Sequence, residues 1–517
     1  MKTPNPYVLL MLSTPFLGFS QTGREKQKKS ENRPPNIIYI LADDLGYGDV
    51  TAYNPQAKTS TPNIDRLASQ GIRFTDAHSP SAVSTPTRYG ILTGRYCWRS
   101  RLPVGVLNGY SQSLIEKERT TVASLLKRNG YSTAVIGKWH LGLDWVKKKD
   151  AENISSVNAA EVNTTAIVKS IDPSIIDFSI PPSDGPLNHG FDYSFILPAS
   201  LDMPPYCYLE NDRLVAPPDD LTKGSDLDKG FTGAFWRPGL MSKGFDFEQV
   251  TPTFTQKAIS FLKKQSESGQ PFFLYLPYSS PHTPWMPSPE YRGSSKAGQY
   301  GDFVNMVDGE VGKVLRTLTE MGLDDNTIVF FASDNGPFWK PDFIERFDHR
   351  AAYIYRGMKA DAFEGGHRIP FIVRWPGKIK PDSQCSEPIT LTNLLATCAG
   401  ILNTKLAENE GEDSNNILPL LLGNTSEYER PEALIQNSSS GFFVIRKGDW
   451  KLILGLGSGG FSKPESYQQK AGEAPGQLFN IKNDPSETKN MYLRYSEKVE
   501  ELNAILKKYK ETGISRQ

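Results

Sequence analysis

Asn36-Ile37-Ile38-Tyr39-Ile40-Leu41-Ala42-Asp43-Asp44-Leu45-Gly46 runs an unbroken apolar stretch directly into two carboxylates. Such a run, of strand length and without polar alternation, predicts a strand buried on both faces in a parallel sheet covered by helices. The carboxyl ends of such strands are where open α/β sheets bind ligands, and neighbouring buried acids repel unless a cation joins them. The pattern returns at 327–332, Thr-Ile-Val-Phe-Phe-Ala, followed by Ser333-Asp334-Asn335-Gly336. Either acidic turn alone reads as an ordinary turn. Taken together, Asp43, Asp44, Asp334 and the amide oxygen of Asn335 make a hard all-oxygen donor set that suits Ca²⁺, with Mg²⁺ as the alternative.

Working outward, Ser81-Ala-Val-Ser84-Thr-Pro86-Thr-Arg88-Tyr-Gly-Ile-Leu-Thr-Gly94-Arg95 combines a small nucleophile, a proline suited to a helix start and a glycine suited to its stop. Ser84 is therefore expected at a helix N-terminus, where free N–H groups and the helix dipole favour an anion, with Arg88 one turn on. For an isolated Ser-x-Pro-x-Arg, a simple N-cap would explain as much. A strand predicted over 131–136 leads into Gly137-Lys138-Trp139-His140-Leu141-Gly142. If the backbone stays extended, Lys138 and His140 leave on one face. A strand at 271–276 leads into Ser280-Pro281-His282-Thr283-Pro284, which fixes an imidazole suited to general acid work. Further on, Arg356-Gly357-Met358-Lys359 precedes Glu364-Gly365-Gly366-His367-Arg368 and a strand expected at 369–374, with Glu364 and the glycines shaping the turn.

These strings occur in one order across residues 35 to 490 and resemble the type I, formylglycine-dependent sulfatases. The resemblance implies an alkaline-phosphatase-like α/β sandwich with a large mixed central sheet and a smaller C-terminal α+β subdomain. It implies sulfate ester hydrolysis, with Ser84 oxidised to formylglycine (3-oxoalanine) by a serine-type anaerobic sulfatase-maturing enzyme. A cysteine-dependent maturation system is expected to leave the chain inactive. By the same resemblance, Asp43, Asp44, Asp334, Asn335 and the modified Ser84 hold the metal, and Arg88, Lys138 and Lys359 hold sulfate. His140 serves the formylglycine hydroxyl and His282 protonates the leaving alcohol. Asp202 and Arg237, in loops with Tyr206, Phe235 and Trp236, offer a carboxylate, a cation and aromatic faces to a sugar. His189, in Asn188-His189-Gly190-Phe191-Asp192, and His367 join them as substrate-binding candidates. The segments around Asp202 and Glu364 look most like exo-acting 6-O-sulfatases of galactose or N-acetylgalactosamine, on host or algal glycans. The rival readings are a sulfatase of other regiospecificity, a related phosphatase with unmodified Ser84 and two zinc ions, and a sulfated-glycan-binding protein with unmatured Ser84.

Length and charge frame these expectations. A chain of 517 residues exceeds what one core usually holds. Lys plus Arg and Asp plus Glu stand at 58 each, which gives no electrostatic reason to expect a nucleic-acid partner. Residues 1–20 read as a secretory signal peptide, so the mature protein is expected to be secreted, in the periplasm of a Gram-negative bacterium, without a membrane anchor. A disordered leader is expected at 21–35, a catalytic domain at 36–400 and the C-terminal subdomain at 401–517. Residues 147–186 read as a polar insertion on the rim of the site. The four cysteines are scattered, without zinc spacing.

Overall fold

The apolar run at Ile37 becomes the central strand, β1 (Asn36–Ala42), buried along its whole length. The structure is a computed structural model that describes Met1 and residues 33–151, 171–227 and 233–516. The expected signal peptide, most of the expected leader and much of the polar insertion lie outside these residues. Nine further strands join β1 in one sheet. They are β2 (Ile72–Phe74), β3 (Ser132–Lys138), β4 (Tyr193–Leu197), β5 (Leu209–Glu210), β6 (Arg213–Leu214), β7 (Phe272–Pro277), β8 (Thr327–Ser333), β9 (Phe371–Arg374) and β10 (Ser383–Cys385). Their order is β10-β2-β9-β8-β1-β7-β3-β4-β5-β6. The middle strands, β8-β1-β7-β3-β4, are all parallel, with Ile38 set between Val329 and Leu274, and antiparallel pairs close both flanks.

Alternation along β1 explains the layers, because successive side chains leave on opposite faces. Ile37, Tyr39 and Leu41 pack with Tyr89, Leu92 and Leu125, whereas Ile38 and Ile40 pack with Phe254, Phe303 and Val307. The first face is covered by α2 (Ser84–Thr93) and α3 (Val122–Arg128), the second by α1 (Pro62–Ser69), α4 (Val250–Ser268) and α5 (Gly298–Glu320). Closed on both faces, the parallel strands are mainly apolar between their ends, and the charged side chains gather at their carboxyl ends. At β3 the backbones come so close that a Cβ on Gly137 would lie 2.0 Å from the Pro277 carbonyl oxygen.

The C-terminal part forms a four-stranded antiparallel sheet: β11 (Leu434–Asn437), β12 (Phe443–Lys447), β13 (Trp450–Ile453) and β14 (Gln477–Asn480). β12 and β13 form a hairpin that turns at Lys447 and Gly448. One face packs on α7 (Ser496–Thr512), through Ile445, Leu452 and Leu502, after the short α6 (Glu364–His367) has been passed in the chain. The other face packs Val444, Ile453 and Phe479 on Ala362 and Phe363. The described residues from Pro35 onward form one packed unit, so this sheet is built onto the main body. No helix among the described residues is long and apolar enough to cross a membrane, and all four cysteines are buried and free.

Candidate active site

Five parallel strands end on one edge of the sheet, and each delivers a polar group there: Asp43 and Asp44 after β1, Asp334 and Asn335 after β8, Lys138 on β3, His282 after β7, and Ser200 with Asp202 after β4. Ser84 opens α2, whose residues are all buried, with Val83 as the extended residue before it and Gly94 as the left-handed stop. Its hydroxyl donates to Asp43 Oδ1 at 3.1 Å and accepts from Lys138 Nζ at 3.2 Å.

The charges interlock. Lys138 Nζ donates to Asp43 Oδ2 at 2.6 Å, and Arg88 donates to Asp334 Oδ2 through Nε and Nη2 at 3.1 and 2.8 Å. Lys359 Nζ donates to Asp44 Oδ2 at 2.8 Å. Burial would raise the Asp43 carboxyl, yet Lys138, His282 and Arg88 hold it well below the usual carboxylate range. Asp334 moves the other way, pushed up by burial and the Asp43 charge. Asn335 Nδ2 donates to Asp44 Oδ1 at 2.7 Å, while its own Oδ1 is buried without a hydrogen-bond partner. One oxygen from each of Asp43, Asp44 and Asp334 lies within 4.8 Å of the others. Three carboxylates and an orphaned amide oxygen fit a hard divalent cation.

Both catalytic histidine candidates have one nitrogen tied to a carbonyl. His140 Nε2 lies 2.8 Å from the Leu107 carbonyl, and its buried Nδ1 has no partner. Burial and then Lys138 hold this imidazole well below its ordinary pKa, hence neutral. The route by which it arrives differs from expectation. His140 has φ of +56°, so the chain is not extended there and the same-face argument fails. His282 Nδ1 donates to the Thr283 carbonyl at 2.6 Å, leaving Nε2 at 3.7 Å from Asp44 and 3.3 Å from the Ser200 hydroxyl.

Asp202 stands beside this group. Arg237 pairs with its Oδ2, while Oδ1 is buried and unpartnered. Tyr206 links the two loops, its hydroxyl lying 2.9 Å from the Asp202 carbonyl and 2.8 Å from that of Arg237.

Two substrate-binding candidates are not in this pocket. His189 precedes the amino end of β4, on the far edge of the sheet, where Nε2 meets Asp184 at 2.9 Å and Ser113 at 3.3 Å. Gly190, at φ +96°, allows the chain to turn tightly over Ser124 there, so this motif is a packing corner. His367, the last residue of α6, is fully buried, with Nδ1 3.2 Å from the Ser79 carbonyl. Burial and Lys451 push its pKa down to about 3. Neither imidazole is exposed to a substrate.

The structure adds residues that sequence reasoning did not single out. Ser200 lies 3.2 Å from Lys138 Nζ, and the rule about strand ends would have found it. Asp49 holds the Asp44 turn, accepting from Gly46 N–H at 2.6 Å and from Tyr300, with His349 Nε2 at 2.7 Å from its other oxygen. A second buried cluster links α6 to the C-terminal sheet. Lys451 Nζ lies 3.0 Å from Glu364 and 2.8 Å from Glu487, while Arg368 bridges Glu364 and Asp76 at 2.7 and 2.9 Å. Asp76, His78 and Glu364 could converge on an ion, but Arg368, Lys451 and Arg446 already balance the carboxylates, which marks the cluster as structural.

Comparison with known proteins agrees with this geometry. The sulfatase family profile matches residues 35–404. An N-acetylgalactosamine-6-O-sulfatase of Bacteroides thetaiotaomicron is 34% identical over 94% of this chain and 95% of its own length. The steryl-sulfatase of Rattus norvegicus is 32% identical over 76% of this chain and 71% of its own. A solved B. thetaiotaomicron structure, from work on metabolism of multiple glycosaminoglycans, superposes with TM-score 0.78 at 34% identity, covering 93% of this chain and 100% of that one. A Pseudoalteromonas sulfatase structure shares the fold at TM-score 0.69 and 23% identity, covering 94% and 92%.

Proposed function

The chain belongs to the sulfatase family, whose members hydrolyse sulfate esters and generally use a formylglycine and a divalent metal, and we propose that it removes the 6-O-sulfate of terminal N-acetylgalactosamine or galactose in a glycan. The similarity to the B. thetaiotaomicron N-acetylgalactosamine-6-O-sulfatase over nearly the whole of both chains carries the sugar and the position. Asp202 supports it, because a buried carboxylate oxygen without a partner at the pocket suits a sugar hydroxyl.

In this reading Ser84 is matured to formylglycine by a serine-type anaerobic maturing enzyme, and Asp43, Asp44, Asp334 and Asn335 hold Ca²⁺. A divalent cation held there would share the sulfate charge and make a hydroxyl of the hydrated formylglycine a better nucleophile. Lys138, Lys359 and Arg88 hold the sulfate oxygens against the developing charge. His282, fixed through Nδ1, presents Nε2 to the departing alcohol as the proton donor. His140, fixed through Nε2 and kept neutral, has Nδ1 free to take a proton near Ser84. The apolar run and small residues of 1–20 support export of the mature protein to the periplasm in this reading, where sulfated glycan would reach it.

The test is desulfation of 6-, 4-, 3- and 2-sulfated monosaccharides by protein co-expressed with a serine-type maturase, with Ser84→Ala as control. Release from the 6-sulfated galacto-configured sugars, lost in the control, is the expected result. Release from 6-sulfo-N-acetylglucosamine alone would overturn the sugar assignment. Release from a 4-, 3- or 2-sulfated sugar and not from the 6-sulfated ones would overturn the positional one.

A further inference from the structure

Lys359 stands on a turn that an L-residue does not favour. Ala360, directly after it, has φ of +76°. The turn is therefore held from outside. Ala360 N–H donates to the Ala82 carbonyl at 2.8 Å, and its carbonyl accepts from Ser439 N–H at 2.9 Å. Ala362 N–H donates to the Ser458 carbonyl at 2.7 Å. The buried Asp361 carboxylate accepts from Met358 N–H at 2.9 Å, from Ser462 N–H at 3.0 Å and from the Ser462 hydroxyl. Gly460 lies flat on this turn, where an added Cβ would come within 2.3 Å of the Ala360 carbonyl carbon. All but two of these partners belong to the C-terminal sheet and its Gly-rich loop, Gly455-Leu-Gly-Ser458-Gly-Gly460-Phe-Ser462.

We propose that the 455–462 loop is a positioning device for Lys359, and that Gly460, Ser462 and Asp361 thereby set how tightly the pocket holds a sulfate group. The inference rests on the reading of Lys359 as a sulfate contact. A lysine head group reaches its target through a long flexible stem, so its placement depends on where its Cα is held. Asp44 fixes the head group of Lys359, the Lys359 N–H donates to the Pro337 carbonyl at 2.8 Å, and the loop fixes the three residues that follow it. Released from the loop, Ala360 would relax out of the left-handed region and carry Lys359 with it. None of the three positioning residues touches substrate; each acts through Lys359.

The experiment measures binding of inorganic sulfate to the mature, metal-loaded full chain by titration calorimetry, alongside the thermal midpoint. Gly460→Ala and Ser462→Ala are each expected to raise the sulfate Kd by about tenfold, while Ser462→Thr, which keeps the hydroxyl, stays near the parent. In a Lys359→Ala background the same two substitutions should leave the sulfate Kd where Lys359→Ala alone puts it, because coupled residues are not additive. An unchanged Kd in folded Ser462→Ala would overturn the proposal even if Gly460→Ala does not fold. So would an equal rise with and without Lys359. If Lys359→Ala binds sulfate as the parent does, the sulfate reading of Lys359 falls, and that outcome is distinct from a failure of the loop.

Discussion

Replacing Asp202 by Asn removes one charge at nearly constant volume. In the parent, Arg237 occupies Oδ2, while Oδ1 is buried with no hydrogen-bond partner. Burial opposes ionisation, but His282, Arg237 and Lys359 together lower the carboxyl below its ordinary pKa. At neutral pH, Oδ1 is thus a charged acceptor without a partner in the protein, left for a sugar hydroxyl in the proposed reading. A hydrogen bond to a charged group contributes about 1.5–3 kcal/mol, or roughly 10- to 150-fold in kcat/KM. The assay compares kcat/KM on 6-sulfo-N-acetylgalactosamine with that on an aryl sulfate lacking ring hydroxyls. Asp202→Asn should lose the full factor on the sugar and stay within about threefold on the aryl ester. Equal losses on both substrates would refute the reasoning, since Asp202 would then be acting on the charge of His282 and Lys359. Asp202→Ala should do worse on both counts, because it also leaves Arg237 unpaired.

Three further outcomes follow from the same coordinates. Chelation of divalent ions should abolish activity and lower the thermal midpoint, with Ca²⁺ restoring both; at a hundredfold excess over Kd, bound ion contributes about 2.7 kcal/mol. A midpoint and rate that ignore chelator would remove the metal from the site. Lys451→Met takes away the cation buried between Glu364 and Glu487, and should cost about 3–5 kcal/mol in urea unfolding, partly recovered by adding Glu487→Gln. His367 is held near a pKa of about 3 in the fold, while an unfolded histidine titrates at about 6.5. Between these values the unfolded chain binds a proton that the fold refuses, so the stability is intact above pH ~6.5 and falls by up to about 1.4 kcal/mol per pH unit toward pH 3. Urea midpoints at pH 7 and 4.5 should converge in His367→Gln relative to the parent.

Much of this architecture was legible because β1 is covered on both faces, and only an unbroken apolar run survives there. The same burial forces polarity to the strand ends, which is why Asp43, Asp44, Asp334, Asn335 and Lys138 could be read as one site from residues nearly three hundred positions apart. Backbone conformation was less legible. His140 reaches the pocket through a left-handed residue, which spacing arguments of period two cannot anticipate. His189 and His367 sit in motif-like strings, yet their imidazoles are internal fasteners, because a short string reports that a geometry is demanding without reporting why. The Glu364 to Lys451 pair joins positions 87 apart with no periodic signal between them. Ion pairs of this kind depend on how the C-terminal sheet docks, which is a tertiary fact.

Charge balance explains why the pocket suits a sulfate ester. Asp43, Asp44 and Asp334 face Arg88, Lys138 and Lys359, so the named groups sum to zero. A divalent cation on the carboxylates would leave the pocket net positive, and a protonated His282 adds to that. A sulfate monoester brings one negative charge, and the sulfate it releases carries two. In the proposed reaction the sulfuryl group passes first to the formylglycine oxygen as the alcohol leaves with the proton from His282, and the second charge appears when sulfate is released. Stabilisation that grows along the reaction lowers the barrier, whereas stabilisation already complete in the bound substrate only tightens binding. A phosphate monoester is close to doubly negative at neutral pH and meets the pocket already matched. On this count, with the cation bound, the pocket would hold a phosphate monoester more tightly than a sulfate monoester.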